Sequence, residues 1–133
     1  MNSFYAAGKG YYGVRVVTGK MCAGGSTRAA CEYVQLIGSK GASAKVYLTG
    51  YFTDIDAGTY QDLTVETKES LGDIQVVTLG IDKNTWITNA WFAEYSVVYD
   101  LSFEADKTEK RFPCYHWINQ DQSVTSTSKT SEC

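Results

Sequence analysis

Two carboxylates two residues apart carry the clearest chemical signal in the chain. In the segment Phe52 to Gly58, FTDIDAG, an extended backbone would project Asp54 and Asp56 to the same side. Two hard oxygen donors in a loop freed by glycine suit Ca²⁺, which takes roughly six to eight oxygens in flexible geometry. The same pair also suits an acidic turn whose Asp side chains cap backbone amides. A second constellation is Cys114 with His116, since a thiol beside an imidazole can serve as nucleophile and base. On a strand these two share a face, but no third group orients the base and no oxyanion donor accompanies them. The chain has one histidine and lacks a nucleophile elbow, a phosphate-binding loop and a cluster of metal-binding histidines. No enzyme is expected.

Trp86 points to binding rather than reaction. It sits in the polar loop Asp82 to Ala90, where a large aromatic is either folded back onto the body of the protein or held out for a partner. An indole held out suits a lipid interface, because its ring is apolar while its N–H still reaches water or a carbonyl. Trp91 and Trp117 fall in alternating segments and are expected in the core. Four cysteines make an even count, which permits disulfides and favours a secreted chain whose signal has been removed. Cys22 and Cys31 bracket a Gly/Ser-rich loop, and a bond between them would stabilise it by about 2–3 kcal/mol. Cys133 is either tethered by a disulfide or a free thiol.

The elements that must position these residues are strands. Of 133 residues 14% are aromatic, ten of them Tyr, with 12 Gly and one Pro, and no stretch sustains a helical period. Tyr12, Val14 and Val16 alternate with Gly13, Arg15 and Val17; Val34 and Leu36 oppose Gln35. Trp91, Ala93, Tyr95, Val97, Tyr99 and Leu101 read as one face of a long strand. Together with turn signals at Gly38 to Gly41, Ala57–Gly58, Ser70 to Gly72 and Asp82 to Asn84, this predicts an all-β, antiparallel eight-stranded β-sandwich of two four-stranded sheets. Residues 1–10 read as a flexible lead-in, 11–119 as the sandwich and 120–133 as a polar tail unable to pack. The run Ser102 to Lys110 reads as a solvated hairpin. Net charge is −3 with both signs interspersed, so no nucleic-acid partner is expected. An anionic lipid surface would repel such a chain weakly unless apolar insertion or a bridging cation outweighs the repulsion. No window approaches the roughly 18 apolar residues of a membrane span.

Three fragments of the second half, LG-x-IQ-x-V from Leu71, W-(x4)-W from Trp86 and RFPCYHWI from Arg111, resemble in order and nearly in spacing the N-terminal PLAT (C2-like, lipoxygenase-homology) domain of animal lipoxygenases. YGVRVVTG from Tyr12, YVQLIGSKGAS from Tyr33 and FTDIDAG from Phe52 resemble that domain's opening strand, its second strand and turn, and its calcium loop. The resemblance covers roughly residues 11–118. It implies a non-catalytic module that docks on membrane lipid through loop tips, with Trp86 and Met21 inserting and Ca²⁺ assisting. Where the family's first loop supplies an acid, this chain has Thr27-Arg28-Ala29. A calcium site at Asp54 and Asp56 would then be completed by backbone carbonyls or by Glu32, and would be weak. Cys114 matches a cysteine that the family carries as a thiol in cytosolic enzymes, so its state here, thiol or disulfide, stays open; the resemblance also implies that the iron chemistry of lipoxygenases belongs to a separate domain. The alternative reading is an extracellular β-sandwich that presents a tyrosine-rich surface to protein or carbohydrate.

Overall fold

The computed structural model describes residues 8–19, 32–48, 55–82, 90–101, 109–119, 121–129 and 132–133. Strict alternation builds β1, Gly10–Thr18, in which Tyr12, Val14, Val16 and Thr18 turn inward. β1 is antiparallel to β5, Tyr60–Thr67, and to β7, Trp91–Asp100, and β7 pairs with β8, Lys110–Ile118. These form a four-stranded sheet in the order β5-β1-β7-β8. In the second sheet β2, Glu32–Gly38, lies beside β6, Ile74–Ile81, and β6 beside β9, Gln122–Ser126. Two short pieces, β3 (Gly41–Ala42) and β4 (Val46–Tyr47), share the other edge of β2. The expected antiparallel sandwich is present, and no helix occurs among the described residues. The difference in count is that the second sheet carries five pieces rather than four.

Between the sheets lies one core whose largest buried side chains are Trp91, Tyr12 and Phe112. Two of its polar side chains are paired as burial demands. The Tyr12 hydroxyl accepts the Leu71 amide at 2.9 Å, and the Trp91 indole Nε1 donates to Thr18 Oγ1 at 2.9 Å.

Three expectations are corrected. The face read along β7 holds only to Ala93. Thr18 pairs with Ala93 and Val17 with Tyr95, so Glu94 is an extra residue against β1. Cys114 and Tyr115 together oppose Glu94 across the β7–β8 ladder, with Tyr115 at φ 49°. An extra residue reverses a period of two. Inward residues are therefore Trp91, Ala93, Ser96 and Val98, while Tyr95 and Tyr99 turn out. Trp117 is likewise not in the core: it pairs with Phe92 on the outer face, ring centroids 5.2 Å apart.

The third correction concerns the tail. Residues 122–126 are strand β9, with Ser126 buried and Val124 packed against the core. Four polar side chains in five prevent neither ladder pairing nor burial, because an edge strand turns alternate residues to solvent. The state of Cys114, open in the sequence, is decided by the same segment. Cys114 is bonded to Cys133, and the Cys133 amide donates to the Cys114 carbonyl at 2.8 Å. Cys114 is thus not a thiol. At the other end Gly10 already belongs to β1. Residues 102–108, the expected solvated hairpin, lie outside the described residues, as do 1–7.

Candidate functional site

The ladders decide where the candidate residues meet. Val17 pairs with Tyr60, Glu32 with Ile81, Trp91 with Ile118 and Ile81 with Gln122. The connections β1–β2, β4–β5, β6–β7 and β8–β9 therefore all leave the sandwich at one pole. Met21, Cys22 and Cys31 belong to the first, Asp54 and Asp56 to the second and Trp86 to the third. Of these only Asp56 is among the described residues; Met21, Cys22, Cys31, Asp54 and Trp86 lie outside them, and so does the expected Cys22–Cys31 bond.

The base of this pole is tied backbone to backbone. Gly58, at φ 78°, donates its amide to the Thr18 and Gly19 carbonyls at 3.2 and 3.1 Å. Thr18 donates to Thr59, and Gly19 to Phe92, both at 2.9 Å. A left-handed residue is needed for that turn, and glycine adopts it without steric cost. Asp56 caps the same turn from its backbone: its carbonyl accepts the Thr59 amide and, at 2.7 Å, the Thr59 hydroxyl. Its neighbour Ile55 is buried while Asp56 itself is exposed. This keeps the Asp56 carboxylate on the outer rim.

Glu32 occupies a different place. It begins β2, fully buried, and its carbonyl accepts the Leu48 amide at 2.9 Å. Among the described residues no three His, Cys, Asp or Glu side chains converge. Carboxylate and carbonyl oxygens are the right donors for Ca²⁺, but the described ones fall short of the number such an ion needs.

One network at this pole has no local signal in the sequence, because its members are 35 and 37 residues apart. Asp82, the last described residue before the Trp86 segment, accepts Lys45 Nζ at 2.9 Å on one oxygen and the Tyr47 hydroxyl on the other. The Lys45 ammonium lies 4.4 Å from the centre of the Tyr33 ring, and Tyr33 meets Tyr47 edge to face at 6.2 Å. The hydrogen bonds from Lys45 and Tyr47 hold the Asp82 carboxyl below the usual carboxylate range, and Asp82 in turn raises Lys45. Asp82 is thereby committed to anchoring the β6–β7 connection. Cys114 and His116 give no nucleophile and base: the sulfur is in the disulfide, and His116 Nδ1 lies 3.5 Å from the Glu132 carboxylate.

A sandwich of two antiparallel sheets of this kind is the C2-like architecture. The chain belongs to the PLAT/LH2 domain family, matched over residues 12–130, a span that takes in β9. Among solved structures it is similar to the lipoxygenase variant Delta413-417:GS LOX, at 25% identity and a TM-score of 0.69, covering 90% of this chain and 16% of that one. It shares its fold with coral 8R-lipoxygenase, described as calcium-activated via a C2-like domain, at 22% identity, TM-score 0.67, 88% of this chain and 16% of that one. A calcium-dependent 11R-lipoxygenase matches at 20% identity, TM-score 0.69, 89% and 17%. The chain thus spans about one sixth of the length of these lipoxygenases and corresponds to their N-terminal domain.

Proposed function

We propose that this chain is a non-catalytic membrane-docking module that meets a lipid interface with the pole where its β1–β2, β4–β5 and β6–β7 connections emerge, with Trp86 as wedge and Met21 contributing. The observation that carries the reading is that the ladders bring the segments of Met21, Asp54 and Asp56, and Trp86 out at the same end of a sandwich whose base is pinned by Gly58 and Asp82. Calcium assists, held weakly by Asp54 and Asp56 with backbone carbonyls; the calcium dependence described for the 8R- and 11R-lipoxygenases supports this. Glu32, buried at the base, would be a ligand only for an ion seated deep beneath the rim. The Cys114–Cys133 bond supports an oxidising, extracellular setting, peripheral to membranes.

Liposome co-sedimentation with calcium and with chelator tests the reading. Trp86→Ala is expected to cost membrane affinity by about 1–3 kcal/mol, the order for withdrawing one large apolar side chain from water, with the melting temperature unchanged. A collapse in melting temperature together with unchanged sedimentation would make Trp86 structural and remove the main support. Asp54→Asn combined with Asp56→Asn is expected to abolish the calorimetric heat of calcium binding. Unchanged heat would place the ion elsewhere.

A further inference from the structure

Gly13 faces outward from the middle of β1, a strand paired on both sides. A glycine inside a central strand weakens it, and marks a bulge, a bend or the close approach of something else. Here the first two reasons fail. Gly13 pairs with Thr64 and Tyr99 in unbroken register and is not among the residues with positive φ. A Cβ placed on it would meet Leu101 Cδ1 at 3.5 Å and Tyr99 Cδ2 at 3.6 Å, ordinary contact distances. At Gly38 and Gly80, by contrast, a Cβ would come within 2.1 and 2.4 Å of its neighbours, so the fold itself demands those glycines. It does not demand Gly13.

What Gly13 creates is a notch of about 140 Å³ in the outward side-chain layer, lined with Val14, Arg15, Asp62, Leu63 and Tyr99. Its polar wall is held in place. Arg15 Nε and Nη2 donate to the two Asp62 oxygens at 2.8 and 2.9 Å, while the guanidinium carbon lies 3.9 Å from the centre of the Tyr60 ring. Tyr99 is fixed by its hydroxyl, which donates to Glu109 at 2.9 Å. The Arg15–Asp62 fork retains N–H donors and carboxylate lone pairs beyond the two bonds it makes. Fixed donors and acceptors thus stand beside an aromatic ring over the backbone of β1 and β5, whose Val14 and Leu63 side chains turn to the core.

We propose that the notch binds one sugar residue of a neutral glycan. A pyranose combines an apolar C–H face, which suits the Tyr99 ring, with hydroxyls that both donate and accept, which suit the fork. An anion is disfavoured because Asp62 already neutralises Arg15. An apolar side chain from a protein partner is disfavoured because burying the fork would leave its remaining donors and acceptors unmatched. The site lies on the sheet face and stands independently of the membrane reading.

The test is a titration of the isotopically labelled chain, followed by amide chemical shifts, with the methyl glycosides of glucose, galactose, mannose and N-acetylglucosamine. The expected result is weak, saturable shifts at Gly13, Arg15, Asp62 and Tyr99 with at least one of the four. Gly13→Val, which fills the notch with a better strand former, should abolish them with the melting temperature equal or higher. Gly13→Ala, which fits at ordinary contact distance, should weaken them and serves if the valine variant does not fold. Asp62→Asn should weaken them too. No saturable shift with any of the four sugars overturns the proposal, as does binding unchanged by Gly13→Ala. So do shifts at the same amides that grow with protein concentration alone, which would assign the face to a second copy of the chain.

Discussion

At the scale of single residues, the hydrogen bond between Trp91 and Thr18 joins the core to the pole at which β1 ends. Thr18→Val keeps the shape of Thr18 but leaves a buried indole N–H without its acceptor. It should therefore cost about 1–3 kcal/mol in denaturant unfolding, while Trp91→Ala should cost about 3–5 kcal/mol through the cavity it opens. Asp82 gives a pH signature. Its folded pKa lies below the ordinary 3.8 because Lys45 and Tyr47 donate to it. The stability it contributes is present above that value and lost as pH falls through the lower folded one. Asp82→Asn should lower the melting temperature at neutral pH, with the difference from wild type closing in acid; a difference that persists at low pH would mean that charge is not the cause. Trp91 was legible in the sequence because alternation places it inward. Trp117 was not, because alternation cannot say which of two faces is the core when both carry aromatics. The Lys45–Asp82–Tyr47 network was invisible for another reason, since a contact across 35 or more residues leaves no local pattern.

At the scale of elements, β9 and its disulfide form one unit. Cys114 and Cys133 close a loop of 19 residues around the last strand. Cys133→Ser should therefore cost about 3 kcal/mol by the loop-closure argument, and hydrogen exchange should quicken first in β9 and along the β6 edge that β9 covers. Uniform quickening throughout both sheets would instead make the bond part of the global core. Strands β1 and β2 were readable because their inward positions recur every second residue. Beyond Ala93 the reading of β7 failed because a bulge is not a pattern but an interruption of one. β9 escaped because Gln, Ser and Thr suit an edge strand and a solvated tail equally well, and only the partner edge of β6 separates the two.

At the scale of the molecule, charge and loop placement act together. A chain of net charge −3 should bind anionic vesicles no better than zwitterionic ones in chelator, and better in calcium, because the ion bridges like charges. Sedimentation against increasing anionic lipid, with and without calcium, reads this directly; rising affinity in chelator would place a basic surface where none is expected. The candidate loop tips were legible through the resemblance of their segments to the PLAT domain, whereas their shared pole follows only from the ladders. The notch at Gly13 was not, since a glycine in a strand declares itself only once its neighbours are known.

The disulfide also determines how the protein bears load. β9 belongs to one sheet and β8 to the other, so the Cys114–Cys133 bond turns residues 114–133 into a hoop stitched through both layers. Tension arriving at Cys133 enters the sandwich at Cys114. It drags β8 along β7 and leaves β9 slack inside the hoop, whereas the same pull on a reduced chain would peel β9 from β6 one hydrogen bond at a time. The oxidised domain is in this sense a shear joint, and its reduced form a zipper.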